Sequence, residues 1–420
     1  MIQVTGLKAA RSNLQYTEVL FVSPFVPYPL DDGLKIRAYN SIKELLRVGY
    51  NVTLLCYAGN VASETNELGN QLGIRIVLVP FRDELGFFLD HAVPLVHSMD
   101  PYMVHHYQRR EFTKRLSDLI EHSSFDLCYF YSPYLMADAV MVAQKGIPLI
   151  LDSVDCQSLS MLRGYESSTR LAHKVFWLVN YFKWKRIERK RLKLFDCVLV
   201  SAERDIGPLR RILGRRVQTL NNGVDTDYWR PCGAVKERYS MVFAGSMDAF
   251  ANSMAAVRFV DGIFPLVKER IPQARFYIAG RNPPREVQNL AGHPDVHVLG
   301  YVRDLRNLID RCEVVVCPLR MATGIQTKIL EAMAMNKPIV ASRISLGDIA
   351  RFLTDDDVVI VESDKEFAEG IVRLLSNREG LEELGKNGRA IVEKHFAWMT
   401  FGERLDDIIV EVMQRDRHGE

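Results

Sequence analysis

The chain has 420 residues, a net charge of +2, and is 48 % hydrophobic and 25 % charged. That is the profile of an ordinary globular protein too long for one domain of usual size. The near-neutral balance gives no argument for nucleic-acid binding, and no apolar run approaches the ~20 residues a bilayer span needs. The opening MIQVTGLKAARSNLQ lacks an apolar signal core, so export is not expected. Seven cysteines, at 56, 128, 156, 197, 232, 312 and 317, stand singly with no Cys-x-x-Cys pair. They read as buried reduced thiols of a cytoplasmic protein, not as a disulfide or zinc framework.

The first half alternates strand and helix patterns. EVLFVS (Glu18–Ser23) is an apolar strand; the Pro-rich loop PFVPYPLDDG closes it at Gly33, and a helix over about Leu34–Val48 stops at Gly49. NVTLLCY (Asn51–Tyr57) is the next strand, which completes a βαβ unit with its long loop at the strand's carboxyl end. No Gly-x-Gly-x-x-Gly follows the first strand, which argues against a dinucleotide dehydrogenase. Gly33 allows close backbone approach to a ligand. Arg37, one turn into the helix, faces either a ligand cleft or solvent. Further strands are expected at Ile74–Pro80, Leu127–Tyr131, Leu149–Asp152 and Asp196–Ser201.

Between them lies an irregular aromatic and histidine-rich stretch, His91–Phe112. His105 and His106 are adjacent, share no face and have no carboxylate at metal spacing, so packing or acceptor contact is expected of them and not metal binding. Asp152 and Asp155 end a strand in LDSVDC; either orients an acceptor hydroxyl or caps the next helix. His173–Lys193 interleaves Phe176, Trp177, Phe182 and Trp184 with Lys183, Lys185, Arg186, Arg189, Lys190, Arg191 and Lys193. One reading is a helix with its aromatic face on the core and its basic face in water. The other is an interfacial helix drawn to anionic lipid, each cation contributing roughly 1 kcal/mol near a charged surface.

The second half repeats the pattern. Strands at Tyr239–Gly245, Arg275–Gly280, Val296–Val302 and Glu313–Cys317 come at the intervals of a Rossmann-like half, and from Asp364 the chain is helical. CPLRMATGIQTKILEAMAMNKPIVAS (Cys317–Ser342) is strand, Gly loop, helix over about Gln326–Met335, and strand. Its loop falls at a strand's carboxyl end, where open α/β sheets bind ligands. Helix-start N–H groups favour an anion there, with Lys328 and Arg320 adding charge. Glu331, three residues beyond Lys328, shares its helix face. A carboxylate beside an anion site suits the vicinal hydroxyls of a ribose.

TGIQTKILEAMAMNKPIVAS resembles the donor-site segment of retaining GT-B glycosyltransferases of the family four, or group 1, type. It is closest to exopolysaccharide- or exosortase-associated sugar transferases, which read GIQ-x-K-x-LEAMA. DDGLKIRAYN, LDSVDC and LNNGVDTDYWRP (Leu220–Pro231) resemble other segments of the same group. Asp225-Thr226-Asp227 is formally the metal-binding Asp-x-Asp of the GT-A fold, but it sits inside a hinge motif that the GT-B resemblance already covers.

The resemblance implies an α/β GT-B fold: two Rossmann-like parallel-sheet domains facing a cleft, with the last helix crossing back to the first. An acceptor domain would span 1–218, a hinge 219–236, a donor domain 237–396 and the returning helix 397–420. It further implies transfer from a nucleotide-diphosphate sugar to a glycan or lipid-linked acceptor in cell-surface polysaccharide synthesis. No obligatory metal or other cofactor and no nucleic-acid partner are implied; the location expected is cytoplasmic, peripheral at the inner face of an anionic plasma membrane on the interfacial reading of His173–Lys193. Glu331 matches the family's ribose-binding glutamate, whereas the glutamate that contacts the transferred sugar is Thr323 here. The Arg and Lys that follow the first Gly of the donor domain in many members are absent from Ser246–Met254. Donor binding is therefore expected from Gly245, Asn252, Arg281, Arg320, Thr323, Gly324, Ile325, Gln326, Lys328 and Glu331, with Gly33 and Arg37 on the acceptor side. Asp32 and Asp152 are the candidate bases. The rival from another class is a non-catalytic relic of the fold that binds nucleotide or glycan.

Overall fold

The computed structural model describes residues 17–58, 62–81, 98–168, 170–321 and 325–418. The chain divides into two compact units: one runs to Asn221 and takes back the chain from Phe401, and the other is Asn222–Thr400.

In the first unit, seven strands form one parallel sheet: β1 (Glu18–Ser23), β2 (Asn51–Tyr57), β3 (Arg75–Val79), β4 (Leu127–Tyr131), β5 (Leu149–Val154), β6 (Cys197–Val200) and β7 (Val217–Thr219). Their order is β3-β2-β1-β4-β5-β6-β7. LCYFY and CVLV are apolar throughout because helices cover both faces of a parallel sheet. The reversal of strand order between β1 and β4 makes a crevice at their carboxyl ends. Helix α1 (Gly33–Arg47) leaves the β1 loop, and its N-cap is Asp32, whose carboxylate accepts from Lys35 N at 2.9 Å. The aromatic stretch before β4 is less irregular than its composition suggests: Tyr102–Tyr107 and Arg110–His122 are helices. The part of that stretch before Ser98 lies outside the described residues. Helices α2 (Gln157–Ser167) and α3 (Leu171–Arg191) follow β5 as an antiparallel pair.

The second unit carries six parallel strands: β8 (Ser240–Ala244), β9 (Arg275–Ala279), β10 (Val296–Gly300), β11 (Val314–Cys317), β12 (Ile339–Ser342) and β13 (Val359–Val361). Their order is β10-β9-β8-β11-β12-β13, which puts the reversal between β8 and β11. Helix α4 (Phe250–Arg258) follows β8, α5 (Thr327–Ala334) joins β11 to β12, and α6 (Asp364–Ser376) follows β13. A core of Phe243, Phe259, Phe264, Phe276, Val316 and Ile329 fixes these helices against the sheet.

The segment expected as a hinge is hydrogen-bonded within the second unit from Val224 onward. Val224 N donates to Phe396 O (2.7 Å), Cys232 N and Ala234 N to Asp310 Oδ2 (2.9 and 3.0 Å), and Lys236 Nζ to Asp310 Oδ1. These donors hold the Asp310 carboxyl well below the ordinary range against the cost of its burial. Asp225 Oδ1 accepts from the N–H groups of Asp227 (3.1 Å) and Tyr228 (2.9 Å), so the Asp-x-Asp is a turn cap. The last helix, α7 (Trp398–His418), returns to the first unit. There Tyr50 Oη donates to Asp406 Oδ1 (2.6 Å) and Arg404 Nε to Thr219 O (3.2 Å).

Candidate functional site

At the carboxyl ends of β8 and β11, two of the predicted residues, Gly245 and Asn252, meet Lys328. Lys328 is the second residue of α5, and its ammonium donates to Asn252 Oδ1 at 2.5 Å while lying 4.9 Å from the Phe243 ring centroid. Asn252, on α4, donates in turn through Nδ2 to Ser246 O at 2.8 Å. Gly245 ends β8 where a Cβ would stand 2.8 Å from Lys328 Nζ and 3.0 Å from Asn252 Nδ2. The glycine is what lets the lysine reach the strand end. Arg281, after β9, donates from Nε to Ser246 Oγ (3.0 Å), and that hydroxyl donates to Asp248 Oδ1 (2.7 Å).

Glycine is also required at 280. A Cβ there would fall 1.7 Å from Gly245 O, a distance no side-chain adjustment relieves because the obstacle is backbone. Gly280→Ala is therefore expected to lower stability by about 2 kcal/mol or more through displacement of the β8 and β9 ends. Thermal denaturation reads this, and a melting temperature equal to wild type would refute the close approach.

Glu331 lies one turn past Lys328 on α5, half-buried, and its carboxylate makes no hydrogen bond to any described residue. Burial pushes its carboxyl up to about 7, against the pull of Lys328. Burial likewise lowers the Lys328 ammonium, opposed by Cys317 and Glu331. A half-buried carboxylate with no side-chain partner among the described residues is open to donors from a ligand. The N-cap of α5 is Gln326, in extended backbone, and its own side chain makes no capping bond. Ile325 packs on the core. Thr323 and Gly324 lie outside the described residues.

Arg320 turns away from Lys328. Its guanidinium is exposed and 3.8 Å from Asp364, at the start of α6. Arg258, at the end of α4, grips the same carboxylate (Nε to Oδ1, 2.8 Å) and donates to Pro318 O (3.0 Å). Arg258 and Asp364 were not anticipated. They tie the β11 loop to α4 and α6, and the sequence signal was an arginine just past the Ser246–Met254 window.

In the first unit, two expectations are corrected. Arg37 faces neither a ligand nor solvent: it is 1 % exposed and forks onto Asp152, with Nε–Oδ2 2.8 Å and Nη2–Oδ1 3.0 Å. Asp152 is 0 % exposed and also accepts from Tyr129 Oη (2.9 Å), so it is not a base for an acceptor hydroxyl. Asp32 is occupied as the α1 cap. Gly33 begins α1, and nothing lies within 4 Å of the position of an added Cβ, so no packing demands glycine there.

The architecture, two Rossmann-like parallel sheets in one chain, is that of the GT-B class. Its second unit carries the sequence match: residues 238–377 fit the family described as glycosyl transferases group 1. Among solved structures, sucrose-phosphate synthase of Thermosynechococcus elongatus is similar at 15 % identity and a TM-score of 0.67, over 95 % of this chain and 99 % of that one. HepE of Anabaena in complex with UDP is similar at 13 % identity and a TM-score of 0.63, over 94 % and 100 %. WaaG, a glycosyltransferase involved in lipopolysaccharide biosynthesis, aligns at 14 % identity and a TM-score of 0.59, over 93 % and 99 %. No curated protein matches the chain by sequence.

Proposed function

We propose that the protein is a glycosyltransferase that moves a hexose from a nucleotide-diphosphate sugar to a glycan or lipid-linked acceptor. The observation that carries this reading is Glu331, whose carboxylate has no hydrogen-bond partner among the described residues, one turn from a cation at the β8/β11 switch point. Its two oxygens suit the vicinal hydroxyls of a ribose. Lys328, Arg281 and the N–H groups at the start of α5 supply positive charge for a diphosphate, which leaves as the sugar is transferred. The match of residues 238–377 supports the same chemistry, as does the UDP complex of HepE. Retention of anomeric configuration, a role in cell-surface polysaccharide assembly and a cytoplasmic location complete the proposal. They are carried by the resemblance of the Thr323–Ser342 segment. The acceptor belongs to the first unit.

The test is a thermal-shift screen of UDP, GDP, ADP and CMP with their sugar conjugates, on wild type and Glu331→Ala. A ligand at 100 times its dissociation constant stabilises the protein by about 2.7 kcal/mol. One nucleotide should shift wild type and shift the variant much less; turnover with that donor follows. If millimolar nucleotide shifts neither protein, the donor site is not where we place it.

A further inference from the structure

Helix α3 presents two faces that its sequence does not separate. One face is internal: Asn180, Trp184, Ile187 and Glu188 are buried, and Glu188 Oε1 accepts from Ser158 N at 2.9 Å. Asn180 Oδ1 accepts from Tyr102 N at 3.3 Å. Gly164 of α2 brings the two helices together, since a Cβ there would sit 2.6 Å from the Trp177 ring. The expectation of a core-packed aromatic face thus holds for Trp184 and fails for Phe182.

The opposite face runs through residues 171, 175, 178, 182, 186 and 189, in steps of three and four that keep it on one side of the helix, and Lys193 follows in the turn that ends it. Its first half is apolar and open to solvent: Leu171 is 78 % exposed, Val175 49 %, Leu178 36 % and Phe182 61 %. Its second half, Arg186 and Arg189, is exposed and basic, with exposed Lys190 beside it and exposed Lys193 after it. Arg186 donates to Met99 O at 3.3 Å, which sets Met99, 66 % exposed, next to the junction of the halves. The single carboxylate of α3, Glu188, is buried on the inner face, so nothing on the helix itself neutralises the outer cations.

We propose that this face of α3 is a docking surface for an anionic lipid bilayer. The apolar half enters the boundary between headgroups and acyl chains, and the basic half meets the headgroup phosphates. Charge selects this occupant over a second copy of the chain, which would bring the same cations to the contact. Three of the four apolar residues, Leu171, Val175 and Leu178, are aliphatic, and they stand apart from the cations along the axis, which suits acyl chains better than stacked bases. The contact would hold the first unit at the surface where a lipid-linked acceptor resides, yet it depends on no feature of the donor site.

The experiment is sedimentation of the full chain with vesicles of phosphatidylcholine alone and of phosphatidylcholine mixed with phosphatidylglycerol, at low and high salt. Binding is expected to the anionic vesicles and to weaken as salt screens the cations. Arg186→Glu/Arg189→Glu/Lys190→Glu should reduce that binding roughly tenfold or more. Leu178→Ser/Phe182→Ser should remove the part that survives high salt. Both variants alter exposed side chains, so their melting temperatures and nucleotide shifts should match wild type. Loss of nucleotide response with vesicle binding intact would therefore count against the donor site alone. The proposal is overturned if the wild type ignores anionic vesicles or binds neutral ones equally. It is also overturned if Leu178→Ser/Phe182→Ser instead turns a dimer into a monomer with vesicle binding unchanged.

Discussion

At pH 8, Glu331→Gln is expected to melt above wild type and to lose its response to nucleotide. The Glu331 carboxyl is pushed up to about 7 in the folded chain from an ordinary 4.5. Between those values the folded state holds a proton that the unfolded state has released, so stability falls as pH rises through the window. Above about pH 7 the whole cost is in place. The shift in full corresponds to about 3 kcal/mol, and for a half-buried group near water on the order of 1–2 kcal/mol is the expected gain on removing the charge. Part of the gain is offset, because Lys328 loses the neighbour that steadies its ammonium. Below pH 4.5 the two proteins should converge.

The ligand response moves the other way. An amide replaces a charge-assisted acceptor with a neutral one, and each such bond to a ligand hydroxyl is worth about 1.5–3 kcal/mol. Nucleotide affinity should therefore fall by on the order of 10- to 100-fold. In wild type it should also weaken as pH drops below 7, because the protonated carboxyl no longer accepts through both oxygens. Melting curves at pH 4.5 and pH 8, with and without the nucleotide that wild type selects, test all three statements. A Glu331→Gln protein that melts below wild type at pH 8 would show that Glu331 is structural, held by contacts its substitution breaks.

How much of this was legible in the chain depends on whether the interaction was local. The long strands announce themselves as unbroken apolar runs, since a parallel sheet buried on both faces leaves no polar alternation. VQT (Val217–Thr219) and VIV (Val359–Val361) are too short for that signal and gain strand character only by pairing at the sheet edges. The Lys328–Glu331 pair was readable because both lie on one helical turn. Arg258 and Asp364 are 106 residues apart, and only the path of α4 and α6 past the β11 loop brings them together. The outer face of α3 was hidden for another reason. Its apolar and basic residues are segregated along the helix axis and mixed around it, so periodicity alone did not say which aromatic residues meet the core.

Arg37 and Asp152 combine both difficulties, and substituting one alone should cost the most stability of any change considered. Arg37 lies among Ala38, Ser41, Ile42 and Leu45 on the inner side of α1, and Asp152 interrupts the apolar strand β5. A fully buried charge is almost always paired, so each residue was evidence for the other, 115 positions away. The fork is completed by Tyr129 Oη on the carboxylate and by Arg37 Nη1 donating to Leu220 O at 3.0 Å. Burial alone would lower the Arg37 pKa, yet Asp152 overcomes it and the net direction is upward. Asp152→Ala leaves a guanidinium in the core without its carboxylate, and the expected loss is about 3–5 kcal/mol. Arg37→Met leaves the carboxylate with a tyrosine hydroxyl and should cost as much. The informative protein is Arg37→Met/Asp152→Leu. Desolvating two charges consumes most of what their attraction returns, so an apolar pair of similar volume should recover most of the loss. Denaturant unfolding followed by a probe in the first unit would measure the cycle. A double variant as unstable as the sum of the singles would mean that the pair does more than satisfy itself. In that event the bond from Arg37 to Leu220, at the end of β7, would be the contact that the first unit needs.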